Sequence, residues 1–149
     1  MPNKEVDRTL IREMLALSPR ERIQTSVDFG RNVATILQTL RENEVRFVVV
    51  GEFAAWLHGA RTHIAVLEIC YDNTPANRES LARALSALDA GARVTTPPYE
   101  PAALAKPERL RLATSAGFLD CIGTGYSSLI HRATEFRFDN DVRALVASP

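Results

Sequence analysis

Two acidic residues stand inside otherwise apolar, strand-like runs. Glu68 lies within residues 65–71 (AVLEICY) and Asp120 within residues 118–122 (FLDCI). A carboxylate in such surroundings needs a cation or hydrogen bonds, because burying an unpaired charge is costly. Each can ligate a hard divalent ion. Each can instead be a structural acid, Glu68 paired with Arg61 or Arg111 and Asp120 bonded within its own hairpin. Glu52 follows Gly51 at the start of a short helix. It can add a ligand, or simply be an acid favoured there by the helix dipole. Asp72 shares a strand face with Val66 and Glu68, but it also precedes Asn73-Thr74-Pro75 and can belong to the cap of the next helix. His58 and His63 can touch a nucleotide, although a histidine just before Gly59 also reads as packing. Trp56, on a short amphipathic helix, reads as core. Cys70 and Cys121 sit in the same two apolar runs and read as buried thiols of a reducing compartment, not as a disulfide or zinc pair.

The elements that must hold these residues follow from periodicity and punctuation. Val6, Leu10, Ile11, Met14 and Leu15 have helical spacing. Ser18-Pro19-Arg20-Glu21 then forms a capping box ahead of a second helix, whose stripe is Ile23, Val27, Val33, Ile36, Leu37 and Leu40. Residues 45–50 are a nearly unbroken apolar run ending at Gly51, the mark of a buried strand. A short helix is predicted over 53–58, stopped by Gly59, and a second buried strand over 65–71. Thr74 and Pro75 start the next helix, with Leu81, Ala84, Leu85 and Leu88 inward and Gly91 at its end. Four prolines make 95–107 an irregular loop. Leu110, Leu112 and Thr114 alternate with Arg109, Arg111 and Ala113, which describes a half-exposed strand. Ser115-Ala116-Gly117 turns it into a hairpin with 118–122. A short helix is expected over 126–134 and one or two edge strands over 136–146, around Asn140. The expected class is α+β or α/β: a mixed sheet with helices packed on it, preceded by two N-terminal helices.

Composition narrows the partners. The 149 residues suit one domain, able to bury roughly 70% of the surface its unfolded chain exposes. Apolar residues at 46% and charged residues at 24% match a globular domain and exclude a disordered or low-complexity chain. Eighteen basic residues cancel eighteen acidic ones, so no general nucleic-acid binding is expected and any such contact must be local. No run is long enough to span a membrane, and MPNKEVDRTL has no apolar signal-peptide core, so a cytoplasmic protein without membrane contact is expected.

The order of motifs from Arg46 to Leu88, RFVVVGEFAAWLHGARTHIAVLEICYDNTPANRESLARALSAL, resembles the small nucleotidyltransferases of the DNA polymerase beta superfamily, especially the AbiEii-type, toxin-like branch. In that family a strand ends in Gly-Gly and a short helix ends in His-Gly. A second strand then carries Asp-x-Asp, a helix opens with a Pro-x-Asn-like motif, and a later strand supplies a third Asp. Val48-Val49-Val50-Gly51, then Ala54, His58 and Gly59, then Leu67, Ile69 and Pro75-x-Asn77, then Gly117-x-Leu119-Asp120 follow that order. The resemblance spans about residues 45–146. It implies a helical extension over 1–44 and a nucleotidyltransferase-like domain over 45–149. It also implies a two-ion site using magnesium or manganese, a nucleoside triphosphate as ligand, Glu68 and Asp120 as catalytic and metal residues, and Gly51, Glu52 and Arg61 as nucleotide-binding positions. Two ions neutralise the triphosphate and activate the attacking oxygen, and carboxylates two apart on a strand share a face; residues 45–50, 65–71 and 118–122 are therefore expected as neighbouring strands of one sheet with Glu68 and Asp120 on the same face.

The departures fall on the same chemistry. Val66 stands where the first Asp of the pair belongs and Glu68 where the second does. Glu52 replaces the second glycine, Ile64 replaces the usual Thr, and Arg61 comes one position early. Only Asp120 is kept. The chain also stops at Val146-Ala147-Ser148-Pro149, where relatives continue into further helices. Three functions are compatible with this pattern. The first is a catalytically impaired protein acting by binding or regulation, with a protein partner, in a toxin–antitoxin or defence setting. The second is an active metal-dependent enzyme transferring a nucleotide to RNA, protein or a small molecule. The third is a folded remnant.

Overall fold

The computed structural model of the chain describes residues 4–5, 32–61, 66–92, 101–105, 109–138 and 141–148. Its strands are β1 (Lys4–Glu5), β2 (Phe47–Val50), β3 (Leu67–Tyr71), β4 (Gly91–Ala92), β5 (Arg109–Thr114), β6 (Gly117–Ile122), β7 (Thr134–Arg137) and β8 (Arg143–Val146). Its helices are α1 (32–42), α2 (Gly51–Leu57), α3 (Pro75–Ala87) and α4 (Tyr126–Leu129), with short 3-10 turns at Pro101–Ala105 and Ile130–Arg132. Among the described residues the strands form one mixed sheet in the order β1-β7-β8-β2-β3-β6-β5-β4. β2 runs antiparallel to β3, β3 parallel to β6, and β6 antiparallel to β5. The α+β class with helices packed on a mixed sheet is therefore present. No helix among the described residues is long and apolar enough to cross a membrane.

Alternation divides the sheet into two faces. Phe47, Val49, Leu67, Ile69, Tyr71, Leu112, Leu119 and Cys121 point to one, where they meet Val33, Ile36, Leu37 and Leu40 of α1 and Leu81, Ala84 and Leu85 of α3. Residues 32–42 thus share a core with the sheet. The other face carries a smaller apolar group of Val48, Ala133 and Ala147, with Tyr126, Leu129 and Ile130 laid over it. Beyond that group, on β3 and β6, the same face carries Glu68 and Asp120.

Several expectations need correction. α3 ends at Ala87, ahead of Gly91, and the residue that turns left-handed after it is Asp89, at φ 49°. The Ala90 N–H donates to Leu85 O at 2.9 Å and the Asp89 N–H to Ser86 O at 3.1 Å, the paired bonds of a Schellman end. α1 closes the same way with Glu44 at φ 59°, whereas α2 uses the expected Gly59 at φ 99°. Thr74 has the extended backbone of an N-cap but makes no side-chain cap bond. β8 is not an edge strand: it lies between β7 and β2, pairing Val146 with Val49. The proline-rich loop contains the 3-10 turn Pro101–Ala105, anchored by buried Leu104 and by a Tyr71 hydroxyl that donates to Leu104 O at 2.5 Å. The stripe from Val6 to Val27, Ser18, Pro19 and Glu21, His63, Ile64 and Asn140 lie outside the described residues.

The joint between β2, β3 and α3 is a single side chain. Asn77 is buried, and its Oδ1 accepts from the Arg46 N–H at 2.7 Å. Its Nδ2 donates to Arg46 O at 3.0 Å and to Asp72 O at 2.7 Å. One amide therefore satisfies the Arg46 N–H and Asp72 O, at the entry to β2 and the exit from β3, and gives Arg46 O a second donor beside the Asp72 N–H.

Two stability measurements check this account. Asn77→Ala takes this partner from the Arg46 N–H and Asp72 O in a buried site and should cost about 2–4 kcal/mol in urea unfolding; a loss below about 1 kcal/mol would show that water replaces the amide. Asp89→Gly should stabilise by about 0.5–1 kcal/mol, since the left-handed position penalises any residue with a Cβ.

Candidate functional site

Parallel pairing of β3 with β6 sets Glu68 directly opposite Asp120. In-register residues of neighbouring strands share a face, so the two carboxylates project side by side. Their strand axes are about 4.8 Å apart. The sequence expectation that both acids lie on one face of adjoining strands is met. Like charges directly opposite each other are destabilising, and Asp120 is nearly covered, its side chain 5% exposed, with Glu68 at 15%.

The cation that resolves this is Arg109. Its Nη1 donates to Glu68 Oε1 at 2.7 Å and stands 3.6 Å from Asp120 Oδ2. Register places Arg109 opposite Ile122 on β6, so its side chain crosses β6 to reach β3. Arg111, opposite Asp120, approaches that acid only to 4.0 Å. The arginine holding Glu68 is therefore neither Arg61 nor Arg111. The strand alternation already put Arg109 and Arg111 on one face; only the register of the hairpin reveals which of them spans two strands.

Gly51 supplies the other wall. It opens α2 at φ +74°, and a Cβ there would stand 1.3 Å from Glu68 Oε2. One carboxylate oxygen thus rests against the glycine turn while the other is held by Arg109. Glu52 and Arg61, the other proposed nucleotide positions, are exposed, Glu52 in the first turn of α2 and Arg61 beyond its end. Val66 precedes Glu68 by two residues, half-buried, and offers no ligand atom.

The remaining candidates have structural partners. His58 Nε2 lies 3.0 Å from Ala147 O, and its ring meets Phe136 edge-on at 5.3 Å. Trp56 is partly buried and stacks on Phe53 at 5.9 Å. The Asp72 N–H donates to Arg46 O and its carbonyl accepts from Asn77, which ties it to the start of α3. Cys70 and Cys121 are both free thiols in the interior, on opposite faces of the sheet. Burial pushes the Cys70 thiol up to about 11, and burial followed by the neighbouring Asp120 charge pushes Cys121 higher still. Both are protonated at neutral pH, which makes neither a nucleophile nor a ready metal ligand.

A magnesium pair needs several oxygen ligands in near-octahedral array. Here Arg109 lies against both carboxylates with Arg111 4.0 Å from Asp120, and among the described residues no group of three or more His, Cys, Asp or Glu could hold a metal ion. The donor set does not fit a two-ion centre. No protein-family model matches the chain, and no curated protein or solved structure does.

The contact between Gly51 and Glu68 can be measured as a coupling. Gly51→Ala should cost about 3 kcal/mol, part from left-handed strain and part from expelling the carboxylate. In a Glu68→Ala background the same change should cost only about 1–2 kcal/mol. Equal costs in both backgrounds would mean that the carboxylate does not rest on the glycine.

Proposed function

We propose that this chain is a nucleotidyltransferase-like protein in which an arginine has taken the place of the metal ions, and that it acts by binding and not by catalysis. The observation carrying this is the position of Arg109, 2.7 Å from Glu68 and 3.6 Å from Asp120. A fixed guanidinium supplies the positive charge that paired carboxylates require, at the spot where a divalent ion would have to sit. An ion could enter only by displacing it. Val66 removes a charged ligand, and Glu68 is longer than the aspartate of the family pattern.

The rest of the site supports the same descent. A glycine turn leads from a strand into a short helix, beside two in-register acids on parallel strands, with an Asn at the head of the next helix. That is the order the resemblance implies. A protein partner in a toxin–antitoxin or defence setting is the role proposed for such an impaired relative.

Manganese titration tests the proposal. The parent should bind no tighter than about 10⁻³ M, the weak end of carboxylate cation sites. Val66→Asp with Glu68→Asp and Arg109→Ala should restore ligands and remove the competing cation. That variant should be less stable alone and regain about 2.7 kcal/mol when manganese reaches one hundred times its dissociation constant. Tight manganese binding by the parent would overturn the proposal. So would a variant that folds without any manganese-dependent rise in melting temperature.

A further inference from the structure

β3 and β6 are parallel neighbours whose chains leave in opposite directions. After Tyr71 the chain turns through Asp72-Asn73-Thr74 into α3, on the face that holds the main core. After Ile122 it turns through Gly123-Thr124-Gly125 into α4, on the other face. In open sheets with parallel strands, ligands bind at such a point, in the crevice outside the carboxyl ends of the strands. Two side chains fix this crevice. Asn73 Nδ2 donates to Gly123 O at 2.9 Å, and Cys70 Sγ donates to Thr124 O at 3.1 Å, so the two loops are pinned to one another.

Three polar side chains stand at its mouth, on the α4 face. The register of β2 with β3 runs one step past Phe47 and Tyr71, where the Asp72 N–H donates to Arg46 O at 3.0 Å. Arg46 and Asp72 are therefore cross-strand neighbours on the face of Val48 and Cys70. Tyr126 opens α4 on that same face. Burial, and then the Asp72 charge, push its phenol up while Arg46 pulls it down, so both charged heads act on one hydroxyl. Opposite charges directly across a strand pair ordinarily attract each other into contact. Here, among the described residues, the Arg46 and Asp72 side chains form no ion pair and the Tyr126 hydroxyl no hydrogen bond. Arg46 is exposed and Asp72 and Tyr126 are half-buried, so all three are open to a ligand.

We infer that this crevice binds a free α-amino acid, its carboxylate held by Arg46 and the Tyr126 hydroxyl and its ammonium by Asp72. Charge decides the class. An anion gains from Arg46 and is repelled by Asp72, and a cation meets the reverse. A ligand carrying both charges gains from both and, being neutral overall, matches a pair that is itself neutral. Guanidinium with carboxylate, and carboxylate with ammonium, are the strong kinds of hydrogen bond. Spacing decides the rest. Paired strand residues have Cα atoms about 4.5–5.5 Å apart, so the two heads are neighbours and suit charges borne on one carbon, not at the two ends of a long chain. Glu68 lies four residues back along β3, about 13 Å away. The crevice uses none of Gly51, Glu68, Arg109 and Asp120, so it does not rest on the nucleotidyltransferase reading.

Isothermal titration of the full chain with each of the proteinogenic L-amino acids tests the proposal. At least one should bind with a dissociation constant of about 1 mM or tighter, the loose end of the range for sites that meet small metabolites. Its N-acetyl derivative and its carboxamide, which each lack one charge, should bind about tenfold more weakly or worse. Arg46→Gln and Asp72→Asn should each weaken the amino acid by a similar factor. Both spare the backbone bonds that Asn77 makes to these residues, and a thermal melt confirms that each variant folds. Asp72→Asn should also bind the corresponding des-amino acid better than the parent does, because the repelling carboxylate is gone; a merely structural Asp72 would give no such gain. Absence of binding by every amino acid at about 1 mM would overturn the proposal. So would equal affinity for the N-acetyl form, or an Arg46→Gln variant that folds and binds as the parent does.

Discussion

The pairing of β3 with β6 is the constraint from which the site follows. These strands are distant in sequence and run parallel, so a crossover must connect them, and α3 lies within it. The register that buries Leu67, Ile69, Leu119 and Cys121 on one face leaves no choice on the other. Glu68 must then stand opposite Asp120. A slip by one residue would relieve the repulsion but would turn every apolar side chain outward. Burial of four apolar residues outweighs the repulsion of one acid pair. The chain keeps the register and answers the repulsion with Arg109.

That answer depends on the hairpin of β5 and β6. Thr114 shapes its turn: its Oγ1 donates to Gly117 O at 2.6 Å and accepts from the Ala116 N–H at 3.1 Å. The Ser115 N–H donates to Leu88 O at 2.8 Å, tying the turn to the end of α3. At its other end β5 follows the segment fixed by Leu104 and by Asn73, whose Nδ2 donates to Ala105 O at 3.1 Å. Arg109 is therefore delivered from a strand anchored at both ends. A long, flexible side chain can hold two carboxylates because little freedom remains in the backbone that carries it.

Local elements were legible in the sequence because their signals are local. The stripe Val33, Ile36, Leu37 and Leu40 faces the core as its spacing required, and the two buried strands stand within two residues of their expected bounds. The same-face placement of Glu68 and Asp120 followed from alternation and motif order together. What escaped was of two kinds. Glu44 and Asp89 take left-handed conformations because Val45 and Ala90 must return a hydrogen bond to the helix, and neither residue type announces it. Strand order across the sheet, and with it the reach of Arg109 over β6, depends on which distant edges meet, and periodicity carries no information about partners. The inner position of β8 escaped for the same reason.

The placement of β8 also governs how the chain can be made. Among the described residues it is the last strand in sequence order, yet it sits between β7 and β2. On the ribosome, β2, β3, β6 and β5 can assemble while residues 143–146 are still inside the exit tunnel. Until those residues emerge, the outer edge of β2 offers Val49 with an unpaired backbone, and β7 has no strand to join it to the rest. At about 5–20 residues per second the interval is short, but throughout it the nascent sheet presents an apolar edge of the kind that recruits foreign strands. Vectorial synthesis thus leaves the edge of β2 open until β8 reaches it.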